Sequence, residues 1–175
     1  MTGEPRVLRD ELLCEGRRVK LYRRVVSAGD AEVEKDYVAF GESVVVVPVL
    51  EGGALVFVRQ WRPAINRWIV ELPAGRVELG EGVLEAAGRE LEEETGFKAG
   101  ALREVGSFYV SPGYSDELIH VVVAERLVAA KAHPEPGEVL SVVVMRPEEY
   151  LSRVGRESLD LKTVAAIHLY LGGSR

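Results

Sequence analysis

Amides are almost absent from these 175 residues, with Gln60 and Asn66 the only two. Cysteine is just as scarce, and Cys14 alone excludes an intramolecular disulfide and fits a reducing cytoplasm. Long hydrophobic runs are missing too. The longest, Val44 to Leu50, is strand-sized, far short of the roughly 20 residues a membrane-spanning helix needs. The opening residues MTGEPRVLRDELL mix both charges and lack a signal-peptide hydrophobic region, so a cytoplasmic protein is expected. No positive excess exists either: 22 Lys and Arg against 28 Asp and Glu leave a net charge of −6. That argues against general nucleic-acid binding, which needs a basic footprint. An anionic substrate remains compatible if metal ions and a few arginines supply local positive charge. Few amides beside abundant Glu and Arg is one signature of proteins from hot environments, although lysine is not enriched here.

What is present describes a soluble chain of one domain, or one domain with a short N-terminal arm. Residues 18–26 and 32–40, separated by SAGD, read as a hairpin. SVVVVPVL (43–50) and ALVFVRQ (54–60) read as two buried strands joined by a glycine turn, and RWIVEL (67–72) as a third, stopped by Pro73 and Gly75. Residues 82–95 are helical, with Leu84, Ala87 and Leu91 forming one apolar face. Strands are expected near 105–110, 118–124 and 139–145. Two helices then follow, RPEEYLSRV and SLDLKTVAAIHLYL, the second with Ser158 or Asp160 as N-cap. The pattern is a mixed sheet with helices packed on it, and not a regular βαβ repeat.

Residues 88–95, GRELEEET, break a local rule. Glu90, Glu92, Glu93 and Glu94 crowd the C-terminal end of the helix, just before the expected C-cap Gly96. Carboxylates are unfavourable at that end of the dipole and repel neighbours three and four apart. At about 100° per residue, Glu90, Glu93 and Glu94 share one side, opposite the face of Leu84 and Leu91, while Glu92 points elsewhere. Arg89 is the near opposite charge, within reach of Glu85 and Glu93. A solvated acidic face is one reading. The other is a site for a hard divalent cation, which prefers oxygen ligands and joins carboxylates to substrate phosphates.

From Gly75 to Phe97 the chain reads GRVELGEGVLEAAGRELEEETGF. This resembles the Nudix box, G-x5-E-x7-R-E-U-x-E-E-x-G-U with U a bulky apolar residue. Gly75, Glu81, Arg89, Glu90, Leu91, Glu93, Glu94, Gly96 and Phe97 each occupy the matching position without a gap. The resemblance implies an α/β (α+β) fold, the α/β/α sandwich around a mixed β-sheet of that family, and hydrolysis of a nucleoside diphosphate linked to another group. It implies Mg²⁺ or Mn²⁺ as cofactor, held by Glu90 and Glu94, by Glu93 as ligand or assistant, and by the carbonyl of Ala74. Glu81 takes a supporting role, and Glu78 and Glu85 face solvent.

Flanking stretches narrow the likeness. ELPAG (71–75), VRQWRPA (58–64) and SPGYSDE (111–117) resemble the ADP-ribose pyrophosphatase subfamily, which cleaves ADP-ribose to AMP and ribose 5-phosphate. By that analogy Arg62 and Arg59 contact the diphosphate or terminal ribose, where bidentate guanidinium contacts suit the oxygens. Ser111 and Glu117 then belong to a substrate loop. Ordinary strand-end arginines and a plain turn are the bland alternatives. The subfamily draws a catalytic glutamate from a late acidic loop, here HPEPGEVL (133–140), where Glu138 is the first candidate and Glu135 the second. Tyr22 is a candidate platform for adenine, with packing as the alternative. Trp61 and Trp68 read as packing residues, and His120, His133 and His168 receive no role. Related members are homodimers whose N-terminal strands exchange, so residues 1–42 are expected to be a dimer-forming arm before a Nudix domain at 43–175. A GDP-mannose-type nucleotide sugar is the rival substrate, and a non-catalytic ADP-ribose-binding regulator the rival from another class.

Overall fold

The computed structural model describes residues 4–134, 139–156 and 159–173. They divide into two compact units, one holding residues 1–42 with 108–118 and the other residues 43–107 with 119–175. The fold is a mixed α+β one. Among the described residues no helix is long and apolar enough to cross a membrane.

In the first unit, β1 (Arg6–Glu15), β2 (Lys20–Ala28) and β3 (Ala31–Ala39) form an antiparallel sheet in that order. The expected hairpin is β2 and β3, turning at Gly29, whose φ of 66° suits a residue without Cβ. Strand β1 was not expected. Its LRDELLCE run interleaves charges with leucines and carries two register shifts, so no clean period of two marks it. Arg24 ties it down by a bidentate pair of 2.8 Å bonds to Asp10. Residues 108–118 join this unit: Tyr114 C=O accepts the Val38 N–H at 2.8 Å, and Asp116 Oδ1 accepts the N–H groups of Phe40 and Gly41 at 2.7 and 3.1 Å.

The second unit contains β4 (Glu42–Pro48), β5 (Leu55–Arg62), β6 (Arg67–Glu71), β7 (Ala74–Arg76), β8 (Phe97–Tyr109), β9 (Leu118–Ala129) and β10 (Leu140–Met145), less the few end residues of β4, β8 and β9 that belong to the first. They make two sheets, ordered β7-β4-β9-β8 and β10-β5-β6. Helices α1 (Val83–Thr95), α2 (Pro147–Ser152) and α3 (Leu161–Gly173) accompany them. Successive side chains of a strand point to opposite faces, and β4 buries both. Val44 and Val46 pack with Ala86, Ala87 and Leu91 of α1. Val45 and Val47 pack with Leu72, Tyr150 and Ile167 on the other side. A continuous valine run therefore lies between two helical layers.

The short strand β7 was also unexpected, because three residues with Gly75 in the middle carry no strand signal. Pairing with β4 makes it: Ala74 faces Val45 and Gly75 faces Val44. Asp160 is the N-cap of α3, its Oδ2 accepting the Thr163 N–H at 3.1 Å; Ser158 lies outside the described residues.

Candidate active site

Helix α1 starts one residue later than expected, at Val83. The Glu85 carboxylate accepts the Gly82 N–H at 2.9 Å, satisfying a donor before the first turn. It ends as expected: Gly96 takes φ 71° and its N–H reaches Glu92 C=O at 2.9 Å. The buried face differs from expectation. Leu84 is exposed, whereas Ala86, Ala87, Leu91, Glu94 and Thr95 are buried. Glu94 lies three and seven residues beyond Leu91 and Ala87, so it shares their side of the helix and does not oppose it. Its Oε2 accepts the Ala74 N–H at 3.2 Å.

Arg89 organises the neighbouring acids. Its Nε and Nη2 hold Glu81 at 2.8 and 3.0 Å, and its Nη1 reaches Glu90 at 2.8 Å and Glu93 at 3.1 Å. Nη2 also bonds the Arg76 carbonyl at 2.9 Å. The partner expected at Glu85 is replaced by Glu81, because Glu85 is spent on the helix start. Hydrogen bonds donated to Glu81, opposed by burial and joined by one to Glu90, hold the Arg89 guanidinium above the ordinary arginine range. The same contact keeps the Glu81 carboxyl below its usual value, against a smaller effect of burial. Glu92 points away and pairs with Lys98 at 3.1 Å.

The loop before the helix is built to admit Glu90. A Cβ placed on Gly75 would lie 2.0 Å from Glu90 Cδ and Oε1, so only glycine leaves room for that carboxylate. Gly75 does not adopt a positive φ, so its requirement is close approach and not turn geometry. Glu90 and Glu94 thus lie against the Ala74–Gly75 strand, and Glu93 is joined to Glu90 through Arg89. Among the described residues, no three His, Cys, Asp or Glu side chains are already gathered as a metal shell. The donors nonetheless fit a hard divalent cation: they are all oxygens, and the cradle at Gly75 is filled by a carboxylate.

The remaining candidates separate. Arg62, at the end of β5, donates from Nε to the fully buried Glu71 at 2.7 Å. Burial opposes its charge, but Glu71, aided by Glu94 and Asp160, leaves its pKa raised. Arg59 is exposed and stacks over Trp68, its Cζ 4.4 Å from the ring centroid; Trp61 meets the same ring edge-on. Tyr22, Ser111 and Glu117 belong to the first unit. Tyr22 stacks on Tyr37 with centroids 5.5 Å apart, so one ring face is already covered. Ser111 C=O accepts the Tyr114 and Ser115 N–H groups in a turn, and Glu117 C=O accepts Val110 N–H at 3.0 Å. Glu135 and Glu138 lie outside the described residues, but described residues on either side of them are hydrogen-bonded. His133 N–H donates to Glu93 C=O at 2.9 Å, and Trp61 N–H to Val139 C=O at 3.1 Å. Glu71 and Lys162 were missed as partners by sequence reasoning, and Asp160 was read only as an N-cap; the available signal was Glu71 itself, a glutamate closing the apolar run Trp68–Val70.

A NUDIX domain model matches residues 39–165. The chain is 36% identical to an ADP-ribose pyrophosphatase of Bacillus subtilis strain 168, across 94% of this chain and 91% of that one. It is 33% identical to a methanol dehydrogenase activator of Bacillus methanolicus over the same shares. The crystal structure of an ADP compounds hydrolase, 22% identical, superposes with a TM-score of 0.86 over 99% of this chain and 97% of that one, a likeness of fold.

Proposed function

The chain belongs to the Nudix family of hydrolases, and from that premise we propose that it cleaves the diphosphate of ADP-ribose to AMP and ribose 5-phosphate. The observation that carries the proposal is the approach of Glu90 to Gly75 and of Glu94 to the Ala74 N–H, with Glu93 joined to Glu90 through Arg89. The relative named ADP-ribose pyrophosphatase supports the substrate.

In this reading Glu90, Glu93, Glu94 and the Ala74 carbonyl hold one or more divalent cations, Mg²⁺ or Mn²⁺. When bound, such ions neutralise diphosphate oxygens and lower the pKa of a bound water. Arg89 pairs with Glu81, Glu90 and Glu93 together and offsets their mutual repulsion, so the acids are preorganised and need not be recruited. Arg62 and Arg59 supply guanidinium donors to the diphosphate or terminal ribose. Glu138, then Glu135, are the proposed bases; the hydrogen bond from His133 N–H to Glu93 C=O on the box helix supports this.

Residues 1–42 act as a dimer-forming arm on a catalytic domain at 43–175. Supporting it, β1 exposes Val7, Leu8, Leu12 and Leu13, an apolar edge that soluble chains usually cover. Sedimentation of the intact chain tests this; a monomer at micromolar concentration refutes it.

The function is tested by chromatographic product analysis with ADP-ribose, GDP-mannose, diadenosine polyphosphates and NTPs offered separately in Mg²⁺, run warm. AMP and ribose 5-phosphate formed fastest from ADP-ribose, and stopped by EDTA, is the expected result. Preference for another substrate refutes the assignment while keeping the reaction class. Binding of ADP-ribose without turnover favours a regulator.

A further inference from the structure

A second charged cluster lies beneath the segment that leads into the site. Glu71 ends β6 with its side chain fully buried. Its Oε1 accepts the Arg62 Nε–H at 2.7 Å, and its Oε2 accepts a hydrogen bond from the Lys162 ammonium at 2.5 Å. Lys162, in the first turn of α3, is also 3.0 Å from Asp160 Oδ2. That oxygen accepts the Thr163 hydroxyl at 2.6 Å, and Thr163 Oγ1 in turn accepts the Leu72 N–H at 2.9 Å. The start of α3 therefore grips Glu71 by its side chain and Leu72 by its backbone. Pro73 C=O is held by Val46 N–H at 2.9 Å, and Ala74 N–H by Glu94, so four consecutive residues are pinned from α3, β4 and α1.

Two cations and two carboxylates balance one another, yet burying ions costs several kcal/mol each before pairing returns it. Apolar side chains would join this helix to the sheet at least as stably. A device that selects geometry over stability implies that the geometry is used. Arg62 spends Nε on Glu71, which among the described residues leaves the two terminal nitrogens of a rigid planar fork for another acceptor. Its side chain is 35% exposed, against 0% for Glu71 and 21% for Lys162.

We propose that Lys162 is a positioning residue: by sharing the Glu71 carboxylate it fixes that side chain and so aims the terminal nitrogens of Arg62 at a phosphate group of the substrate. The inference rests on the pyrophosphatase reading above and deepens it. Lys162 touches no substrate. Its removal frees one Glu71 oxygen, lets the Arg62–Glu71 pair swing, and weakens substrate capture without touching the glutamates of the box.

The test compares KM and kcat for ADP-ribose in Mg²⁺, with Kd from calorimetry in the absence of added metal. Lys162→Met is expected to raise KM and Kd roughly tenfold while kcat stays within about twofold. Lys162→Arg, which keeps the charge, should return both to within about threefold. In an Arg62→Lys background, Lys162→Met should add less than about twofold, because coupled residues are not additive. Unchanged KM and Kd, a fall in kcat alone, or the same factor in both backgrounds overturns the inference. Should Lys162→Met fail to fold, Lys162→Gln carries the same comparisons. Wild-type protein that binds ADP-ribose without hydrolysing it refutes the proposed reaction, while the Kd comparison still decides this inference. Wild-type protein that neither binds nor hydrolyses it overturns both.

Discussion

Replacing Gly75 with alanine isolates the cradle for Glu90. The new Cβ would sit 2.0 Å from Glu90 Cδ, and carbon atoms rest at about 3.5 Å, so the carboxylate must retreat by roughly 1.5 Å. Backbone strain contributes nothing, since Gly75 is not in a left-handed conformation. The obstacle is the far end of a flexible side chain, so the fold should survive. Weakening the Arg89–Glu90 pair at 2.8 Å costs about 1–2 kcal/mol, a loss of roughly 2–8 °C in melting temperature for a chain of this size. Catalysis is far less tolerant. Ligand distances to Mg²⁺ hold to about 0.2 Å, and a 1 Å misplacement can cost about a hundredfold in rate. Gly75→Ala should therefore lower kcat/KM for ADP-ribose by about a hundredfold or more and shift its Mg²⁺ dependence to higher concentration. Calorimetric melting and initial rates across a Mg²⁺ titration measure both. Activity within about threefold of wild type at the same Mg²⁺ would refute the reasoning.

Glu94→Gln should abolish turnover in Mg²⁺ while circular dichroism stays that of wild type; near-normal rates at saturating Mg²⁺ would remove Glu94 from the proposed metal ligands. Glu81 has a carboxyl pKa lowered by Arg89, so its stabilisation is fully present above the ordinary glutamate value of about 4.3 and fades as pH falls through the lower folded value. The stability gap between wild type and Glu81→Gln, measured by urea unfolding, should accordingly be widest above about pH 4.3 and narrow progressively as the pH falls further; a gap independent of pH contradicts the Arg89 pairing. Glu138→Gln should reduce kcat by about a hundredfold or more if it is the base, and a small effect transfers the role to Glu135 or Glu93.

Much of this protein is readable along the chain, because many of its signals are local. The valine run at 43–50, the capping glycine at 96 and the spacing from Gly75 to Phe97 each act within a few turns of backbone, and each led to the right element. Local signals also misled: Leu84 looked like a core residue on a helical wheel, but α1 rolls so that Ala86, Ala87, Leu91 and Glu94 face the sheet. Only packing against Val44 and Val46 chooses that rotation. Strands β1 and β7 are made by their partners, and neither carries a period of its own. By helical spacing Glu85 is the expected partner of Arg89, yet the helix start consumes Glu85, and Glu81, from before the helix, takes its place. The least legible feature is the link from Lys162 to Glu71, 91 residues apart. The sequence by itself determined which acids gather at the end of the box helix. The tertiary structure alone decided which cation each acid meets, since charge pairing across long loops depends on distances that only the closed fold creates.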